Sequence, residues 1–166
     1  MNGTAYLADV TARFLELRQQ CDRAIAQVPY DQWSHRIGPE SNSIVTLMLH
    51  LSGNMLSRWT DFLTTDGEKL TRDRDAEFED TTLSREALLA RWERGWACLF
   101  DALASLTEAD LERVVTIRSK QLSVVEAIHR QLAHYAAHTG QIVFLAKHLA
   151  GPSWQTLSIP RRGSSG

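Results

Sequence analysis

The chain has 166 residues, 43% of them hydrophobic, and its 18 Lys and Arg against 20 Asp and Glu leave a formal net charge of -2. A chain of this length is expected to form a single domain over residues 1–166 around one core. Neither positive nor negative residues form a run, which argues against nucleic-acid binding. No stretch reaches about 18 consecutive apolar residues, which argues against membrane spans.

Two features bear on location. The first nine residues lack the basic start and the apolar stretch of a secretory signal. Cys21 and Cys98 are the only cysteines, and they lie far apart among apolar neighbours, which favours buried thiols over a disulfide. We therefore expect a cytoplasmic protein.

The first predicted element is an amphipathic helix of about six turns. Its apolar residues recur in steps of three and four, and Pro29 ends the pattern. They are Leu7, Val10, Phe14, Leu17, Cys21, Ala24 and Val28. Residues 30–39 have no period and predict a connection.

A second helix is predicted from Ile44, because Ser41, Asn42 and Ser43 offer N-caps just before it. Its apolar stripe consists of Ile44, Leu47, Leu51, Met55, Trp59 and Phe62. Beside that stripe runs a polar row of His50, Asn54, Arg58 and Asp61. At a spacing of three residues, Arg58 and Asp61 are expected to form an ion pair within the helix.

Residues 64–82 are rich in charge and contain Gly67, so they predict a long, solvated crossover. Ser84 is the expected N-cap of a third helix, with Leu83 and Leu88 as a hydrophobic staple. The apolar face of that helix is formed by Leu89, Trp92, Trp96, Leu99, Leu103 and Leu106. The two tryptophans are expected to lie in the core.

Val114, Val115 and Ile117 are compatible with a short β-like segment, but the run is too brief to assign, and we interpret residues 113–122 as a loop. Ser123 and Glu126 have capping-box spacing and predict the start of a fourth helix, which Gly151-Pro152 ends. Its inward face is expected to follow Val124, Ala127, Gln131, His134, His138, Gln141, Leu145 and His148. Residues 160–166 form a polar tail that we expect to be mobile.

These elements predict an all-α fold. A four-helix bundle with up-down-down-up topology needs a long crossover between its second and third helices, because parallel neighbours cannot be joined by a tight turn. The segment 64–82 has the required length.

Histidines provide the strongest functional signal. His134 and His138 are four residues apart on one helical face, which lets two imidazoles reach one cation. On their own they are better explained as hydrogen-bonded histidines, because the pair lacks the glutamate of the His-Glu-x-x-His motif. His50 would complete three nitrogen ligands from two helices, with positions open for water or substrate. With His50 included, a metal site and a set of structural histidines explain the sequence about equally well.

Polar neighbours of these histidines could support or line such a site. Asn54 and Gln141 are candidates to orient the ligand rings or a substrate, and Arg58 is a candidate to line a substrate cleft. Gln131 could also support a ring, although each of these amides could equally satisfy a backbone group. The remaining histidines, His35, His129 and His148, are interpreted as solvated or locally bonded.

Short motifs between residues 14 and 149 carry a resemblance to a known family. In the first half they are Ser41-Asn42-Ser43-Ile44, His50-Leu51-Ser52-Gly53-Asn54, Ser57-Arg58-Trp59-Thr60-Asp61-Phe62 and Asp66-Gly67-Glu68-Lys69. In the second half they are Arg72-Asp73-Arg74-Asp75, Glu77-Phe78-Glu79, Glu126-Ala127, His134-Tyr135 and His138-Thr139-Gly140-Gln141-Ile142. Together they resemble an uncharacterised bacterial subgroup of the DinB/YfiT-like superfamily. Arg118-Ser119-Lys120 departs from the Arg-Gly-Glu-like turn expected there.

The resemblance implies a four-helix bundle that holds a divalent metal, often nickel or zinc, through three histidines, which correspond to His50, His134 and His138. Relatives in the superfamily include bacillithiol S-transferases and the mycothiol-dependent maleylpyruvate isomerase, in which the metal is thought to activate a thiolate. Homodimers are frequent among its members. For this subgroup no activity follows from the resemblance.

Three hypotheses follow. The leading one is a metal-dependent cytoplasmic enzyme that activates a thiol or water for attack on a small electrophile. Its most specific form is a transferase that uses a low-molecular-weight thiol. The second is a noncatalytic metal- or ligand-binding stress protein, since no general base or activated nucleophile is obvious. The third is a structural bundle used for dimerisation.

Overall fold

The computed structural model describes residues 2–79 and 81–159. Within these ranges the chain is predominantly helical and contains one small sheet. The helices are α1 (Gly3–Ile25), α2 (Ile44–Trp59), α3 (Arg85–Ser105) and α4 (Val124–Ala150), and the strands are β1 (Val114–Ile117) and β2 (Lys120–Ser123). The tail predicted over residues 160–166 lies outside the described residues.

Each helix begins at a polar side chain that accepts a backbone hydrogen bond from the first turn. Asn2 caps α1, Ser43 caps α2, Ser84 caps α3 and Ser123 caps α4. In α4 the Glu126 carboxylate also accepts a bond from the backbone N–H of Ser123, which completes the predicted capping box. These bonds satisfy donors that helix geometry leaves without partners.

The helices pack in two close pairs, with α1 along α4 and α2 along α3, and α2 also contacts α4. Every residue of α2 except Leu56 is buried. Consequently three members of the polar row, His50, Asn54 and Arg58, lie inside the protein, where each polar group needs a partner. The core also contains Trp92 and Trp96, as predicted. Among the described residues no helix combines the length and the apolar character that a membrane crossing would require.

Several predicted boundaries and faces need correction. Helix α1 ends at Ile25, four residues before Pro29, and α2 ends at Trp59, so Asp61 lies beyond it with a positive φ of 48°. The buried face of α4 runs through Tyr135, Thr139 and Ile142. Of the predicted inward positions, His134 and His138 are half-buried, Gln141 and His148 are exposed, and the remaining four are buried as predicted: Val124, Ala127, Gln131 and Leu145.

The expectation that residues 113–122 form a loop, within an all-α fold, was wrong. Strands β1 and β2 form an antiparallel hairpin in which Ile117 pairs with Lys120. The turn residues Arg118 and Ser119 have φ values of 54° and 61°. Two consecutive residues with positive φ form the type of turn that matches the twist of a hairpin, although glycine or asparagine is the usual choice.

A contact from the crossover stabilises this unusual turn. The Asp66 carboxylate accepts hydrogen bonds from the backbone N–H groups of Arg118 at 2.9 Å and Ser119 at 2.8 Å, and from that of Glu68 at 2.7 Å. The N–H of Gly67 donates to the carbonyl of Thr116 at 2.7 Å. The hairpin and the crossover therefore form one unit, which sequence spacing does not reveal.

We predict that Asp66→Asn lowers the free energy of unfolding by roughly 1–2 kcal/mol, because an amide provides a weaker and less versatile acceptor for three N–H groups. The measurement is urea denaturation at neutral pH. Asp61→Asn is the matched control, since asparagine tolerates a positive φ and no N–H group bonds to the Asp61 side chain in the described residues. Equal stability losses in the two variants would contradict the assignment.

Candidate metal centre

Three imidazole rings from two helices converge in the structure. His50 belongs to α2, and His134 and His138 lie one turn apart on α4. One ring nitrogen from each histidine can be chosen so that all three atoms lie within 4.8 Å of one another. The Nε2 atoms of His50 and His134 are 3.3 Å apart. His50 is buried, and the other two are half-buried.

A buried hydrogen-bond chain beneath the rings holds α2 against α4. The hydroxyl of Tyr135, the residue after His134, donates to Oδ1 of Asn54 at 2.9 Å and accepts from Nε1 of Trp59 at 3.1 Å. Burial raises the pKa of the Tyr135 phenol far above its usual range, so it remains a neutral donor. Asn54 thus positions the helix carrying His134 and does not bond to a histidine ring.

The crossover supplies a partner for His50. A short 3-10 helix, Asp75–Glu77, directs the Glu77 side chain inward. There its Oε2 accepts a hydrogen bond from Nδ1 of His50 at 3.0 Å. Arg72 donates two hydrogen bonds of 2.7 Å to the same carboxylate. Burial by itself would raise the pKa of Glu77, but the bonds from His50 and Arg72 outweigh it and lower the pKa below its usual range.

Glu77 and Arg72 were missed as site residues by the sequence patterns. A charged stretch in a long connection usually indicates a solvated loop, and the prediction of a solvated crossover was wrong at both side chains, which are 1% and 5% exposed. The available signal was the resemblance, which includes the motifs Arg72-Asp73-Arg74-Asp75 and Glu77-Phe78-Glu79. Phe78 also contacts the site, with its ring centroid 4.9 Å from that of His50.

Gly53 makes room for the Glu77 carboxylate. A Cβ atom at this position would overlap Oε1 of Glu77. Gly53 lies on α2 one turn after His50, so the close approach occurs directly beside the His50–Glu77 bond. Glycine is therefore needed here because the Glu77 carboxylate lies where a Cβ atom would be, and not because the backbone adopts an unusual conformation.

Gln141 contacts the third ring. Its Oε1 lies 2.7 Å from Nδ1 of His138 and acts as an acceptor, so that Nδ1 carries the proton and Nε2 keeps its lone pair. The same reasoning applies to His50, whose Nδ1 donates to Glu77. Two of the three rings thus have an outer partner that leaves the inner nitrogen available to a cation, the arrangement found around histidine ligands of metals.

The donor set fits a divalent metal ion. Two nitrogens about 2.1 Å from one ion at a tetrahedral angle are about 3.4 Å apart, close to the 3.3 Å between the Nε2 atoms of His50 and His134. All three candidate nitrogens lie within 4.8 Å of one another, so an ion could reach them with at most a small shift of a ring. Three imidazoles leave coordination positions for a further ligand.

The electrostatic surroundings keep the α4 histidines neutral. Burial, followed by the neighbouring His138 and His50 rings, lowers the pKa of His134 to about 3. Burial also lowers the pKa of His138, although its bond with Gln141 opposes the change. At neutral pH both rings therefore present lone pairs, which is the form that binds metals.

A cavity of about 360 Å³ opens onto the three rings. It is lined by His50, Asn54, Arg58, Arg72, Arg74, Phe78, Arg118, Arg130, Gln131, His134 and His138. Arg58 lines this cavity as anticipated, but its predicted ion pair with Asp61 is absent from the described residues. Its guanidinium instead bonds to Glu68 at 2.8 Å and to the carbonyl of Gly67.

The other histidines take no part in the cluster. His35, His129 and His148 are exposed, as predicted, and His129 contacts the ring of Tyr6. Neither cysteine bonds to the cluster in the described residues: Cys21 is buried against Thr139, and Cys98 is half-buried near Thr60. Burial raises the pKa of the Cys21 thiol to about 12, so it is unsuited to act as a nucleophile.

Comparison with known proteins identifies a family but no characterised relative. The family model described as "Protein of unknown function (DUF1572)" matches residues 1–163. No curated protein matches the chain.

We predict that Gly53→Ala destabilises the protein, because the added methyl group forces Glu77 away from His50. Gly140→Ala is the matched control: Gly140 is also helical, and a Cβ there meets nothing within 4 Å. The control is expected to gain roughly 0.5–1 kcal/mol from helix propensity, whereas Gly53→Ala is expected to lose stability. Urea denaturation provides both values, and a gain for Gly53→Ala would contradict the packing described.

We predict that the metal-free protein loses stability as the pH falls below about 6.5. The unfolded chain binds a proton at His134 near its ordinary pKa of 6.5, whereas the folded protein does so only near 3. In that window the unfolded state holds more protons, so the free energy of unfolding rises with pH and falls on acidification. Urea denaturation with chelator at several pH values measures the slope. His134→Gln should reduce it, and His148→Gln, at an exposed position, should not.

Proposed function

The chain belongs to the DUF1572 family, and we propose that it is a metal-dependent enzyme in which His50, His134 and His138 hold a divalent ion. One observation carries this proposal. The Nε2 atoms of His50 and His134 face each other at 3.3 Å, while the outer nitrogen of His50 already donates to a buried carboxylate. A hydrogen bond from a neutral His134 accounts for this pair alone, whereas a shared cation accounts for the convergence of all three ring nitrogens within 4.8 Å of one another.

Nickel and zinc are the ions we favour. Imidazole is a borderline ligand that suits zinc, nickel, copper and iron, so the donor set by itself does not select among them. The choice of nickel or zinc rests on the resemblance to the DinB-like superfamily. When bound, such an ion lowers the pKa of a coordinated thiol or water and so provides a nucleophile at neutral pH.

The protein's own residues prepare the site in three ways. Glu77 and Gln141 hold the rings of His50 and His138 with their inner nitrogens turned to the centre. Tyr135 fixes the separation of α2 and α4 through its bonds to Asn54 and Trp59. The crossover covers one side, because Phe78 packs on the His50 ring and reduces access of water.

The cavity supports a small substrate and a nucleophile that the protein does not itself supply. At about 360 Å³ it suits a small molecule, and none of the side chains that line it is a carboxylate, serine or cysteine. Transfer of a low-molecular-weight thiol to a small electrophile is therefore the reaction we favour. The alternative is a noncatalytic protein that binds a metal or small ligand.

Two broader assignments belong to the same proposal. We place the family in the DinB-like superfamily and its four helices in an up-down-down-up bundle. The pairing of α1 with α4 and of α2 with α3, together with the long crossover, supports that topology. A homodimer and a cytoplasmic location stay predictions from the resemblance and from cysteine usage.

We predict that the protein, purified without chelator and without a metal-binding tag, contains close to one divalent ion per chain. His134→Ala should reduce the content at least tenfold, because two imidazoles hold an ion much less firmly than three. His129→Ala is the matched control, since that histidine is exposed on the same helix outside the cluster. Elemental mass spectrometry measures the content. Equal and negligible amounts in the wild type and in His134→Ala would exclude the metal site.

The catalytic half of the proposal is tested on the metal-loaded protein with a panel of thiols and electrophiles. Turnover by the wild type that disappears in His50→Ala and persists in His129→Ala supports an enzyme. Full metal loading without turnover on the panel favours the binding protein instead.

A further inference from the structure

Arginines dominate the wall of the cavity in front of the histidines. Five of its eleven lining residues are arginines, and no lining residue among the described part of the chain is acidic. They come from separate segments: Arg58 from α2, Arg72 and Arg74 from the crossover, Arg118 from the hairpin turn and Arg130 from α4. The chain as a whole has a net charge of -2, so this concentration of positive charge is local.

Nearby carboxylates neutralise only part of that charge. Glu68 contacts Arg58 at 2.8 Å, Arg118 at 2.7 Å and Arg72 at 3.7 Å, and Glu77 contacts Arg72 at 2.7 Å. Five guanidinium groups against two carboxylates leave an excess of three positive charges. Counting exposed Asp75, which lies 3.8 Å from Arg74, and Asp66, which bonds to the backbone of Arg118 and interacts electrostatically with Arg58, still leaves one. A divalent ion at the histidines would add to this excess.

Arg130 is the guanidinium most available to a ligand. It lies on α4, one turn before His134 and on the same side of the helix, and it lines the cavity. Among the described residues no carboxylate pairs with it, whereas Arg72 has both of its forked donors on Glu77. An unpaired guanidinium beside a cavity can form two parallel bonds with a carboxylate or phosphate.

Two buried polar groups beside the same cavity lack partners. Gln131 is 4% exposed, and its Oε1 has no hydrogen-bond partner in the described residues. Arg58 is also 4% exposed, and its Nε has none. Buried polar atoms are rarely left without partners, and those that are often occur where a ligand or water completes the network. Both residues line the same cavity as Arg130.

We propose that the ligand of this cavity is a small molecule bearing a carboxylate or phosphate group, which Arg130 binds, while a hydroxyl or N–H group on the same ligand donates to Oε1 of Gln131. This inference rests on the proposed function, because it describes the substrate class of the same site. The anionic group would lie toward the N-terminal side of His134 on α4, and the reacting part of the molecule would lie at the histidines. Its negative charge would compensate the excess of guanidinium groups.

The test is calorimetric titration of the metal-loaded, full-length protein at low ionic strength. The probes are succinate, inorganic phosphate and succinamide, an uncharged analogue of succinate. We expect succinate or phosphate to bind and succinamide not to bind, and we expect added NaCl to weaken the binding through screening. The stronger of the two anions identifies the group that the site prefers.

Variants locate the site. Arg130→Gln should weaken anion binding at least tenfold without changing the metal content, since Arg130 is exposed and makes no structural ion pair. Arg23→Gln, an exposed arginine on α1 outside the cavity, is the matched control and should bind as the wild type does.

The outcomes separate the two proposals. Full metal content with no anion binding, or with equal binding in Arg130→Gln and Arg23→Gln, overturns the substrate class and leaves the metal site intact. Absence of metal together with anion binding that depends on Arg130 supports the anion site and overturns the proposed metal function. Metal content that falls in Arg130→Gln would overturn the role assigned to this residue as a ligand contact.

Discussion

The structure depends on the burial of one carboxylate. Glu77 is almost completely removed from solvent, and an ionised group in that position is tolerated only when charged donors surround it. Arg72 supplies two bonds and His50 a third, so the crossover is tied to the middle of α2. Gly53 is required because any side chain there would displace the carboxylate. Orientation of the His50 ring, and through it the geometry of the whole cluster, follows from this contact.

The same logic explains why α2 can be buried on nearly every side and still carry a polar row. His50 bonds to Glu77, Asn54 to Tyr135, and Arg58 to Glu68 and Gly67. Such paired groups contribute little to net stability, because desolvation offsets most of the attraction. Apolar residues would stabilise the fold equally well at these positions. A role in the candidate site therefore explains the polar residues better than a role in stability does.

Three segments that are distant in sequence form one wall of the cavity. Asp66 holds the hairpin turn, and neighbouring Glu68 binds Arg58 of α2 and Arg118 of the turn. The crossover therefore positions two of the five arginines that face the histidines. An acidic residue placed behind guanidinium groups orients them while leaving the front of the cavity positive. This arrangement gives the crossover a role in ligand recognition in addition to its role as a connection.

Local chemistry in the sequence was sufficient to predict four helices, the N-caps Ser84 and Ser123, and the proximity of His134 to His138, because these depend on residues within one or two turns of one another. For the second helix it narrowed the N-cap to three residues, of which the structure selects Ser43. The polar row on α2 correctly pointed to His50 as their neighbour. Only the tertiary structure decided that Glu77 and Arg72 belong beside His50, that Arg58 pairs with Glu68, and that residues 114–123 form a hairpin. The first two depend on contacts between residues separated by 10 or more positions that include irregular chain. The hairpin depends on another segment, because Asp66 supports its turn at Arg118 and Ser119. Periodicity carries no information about such contacts, since it reports which face of an element is buried and not what it meets there.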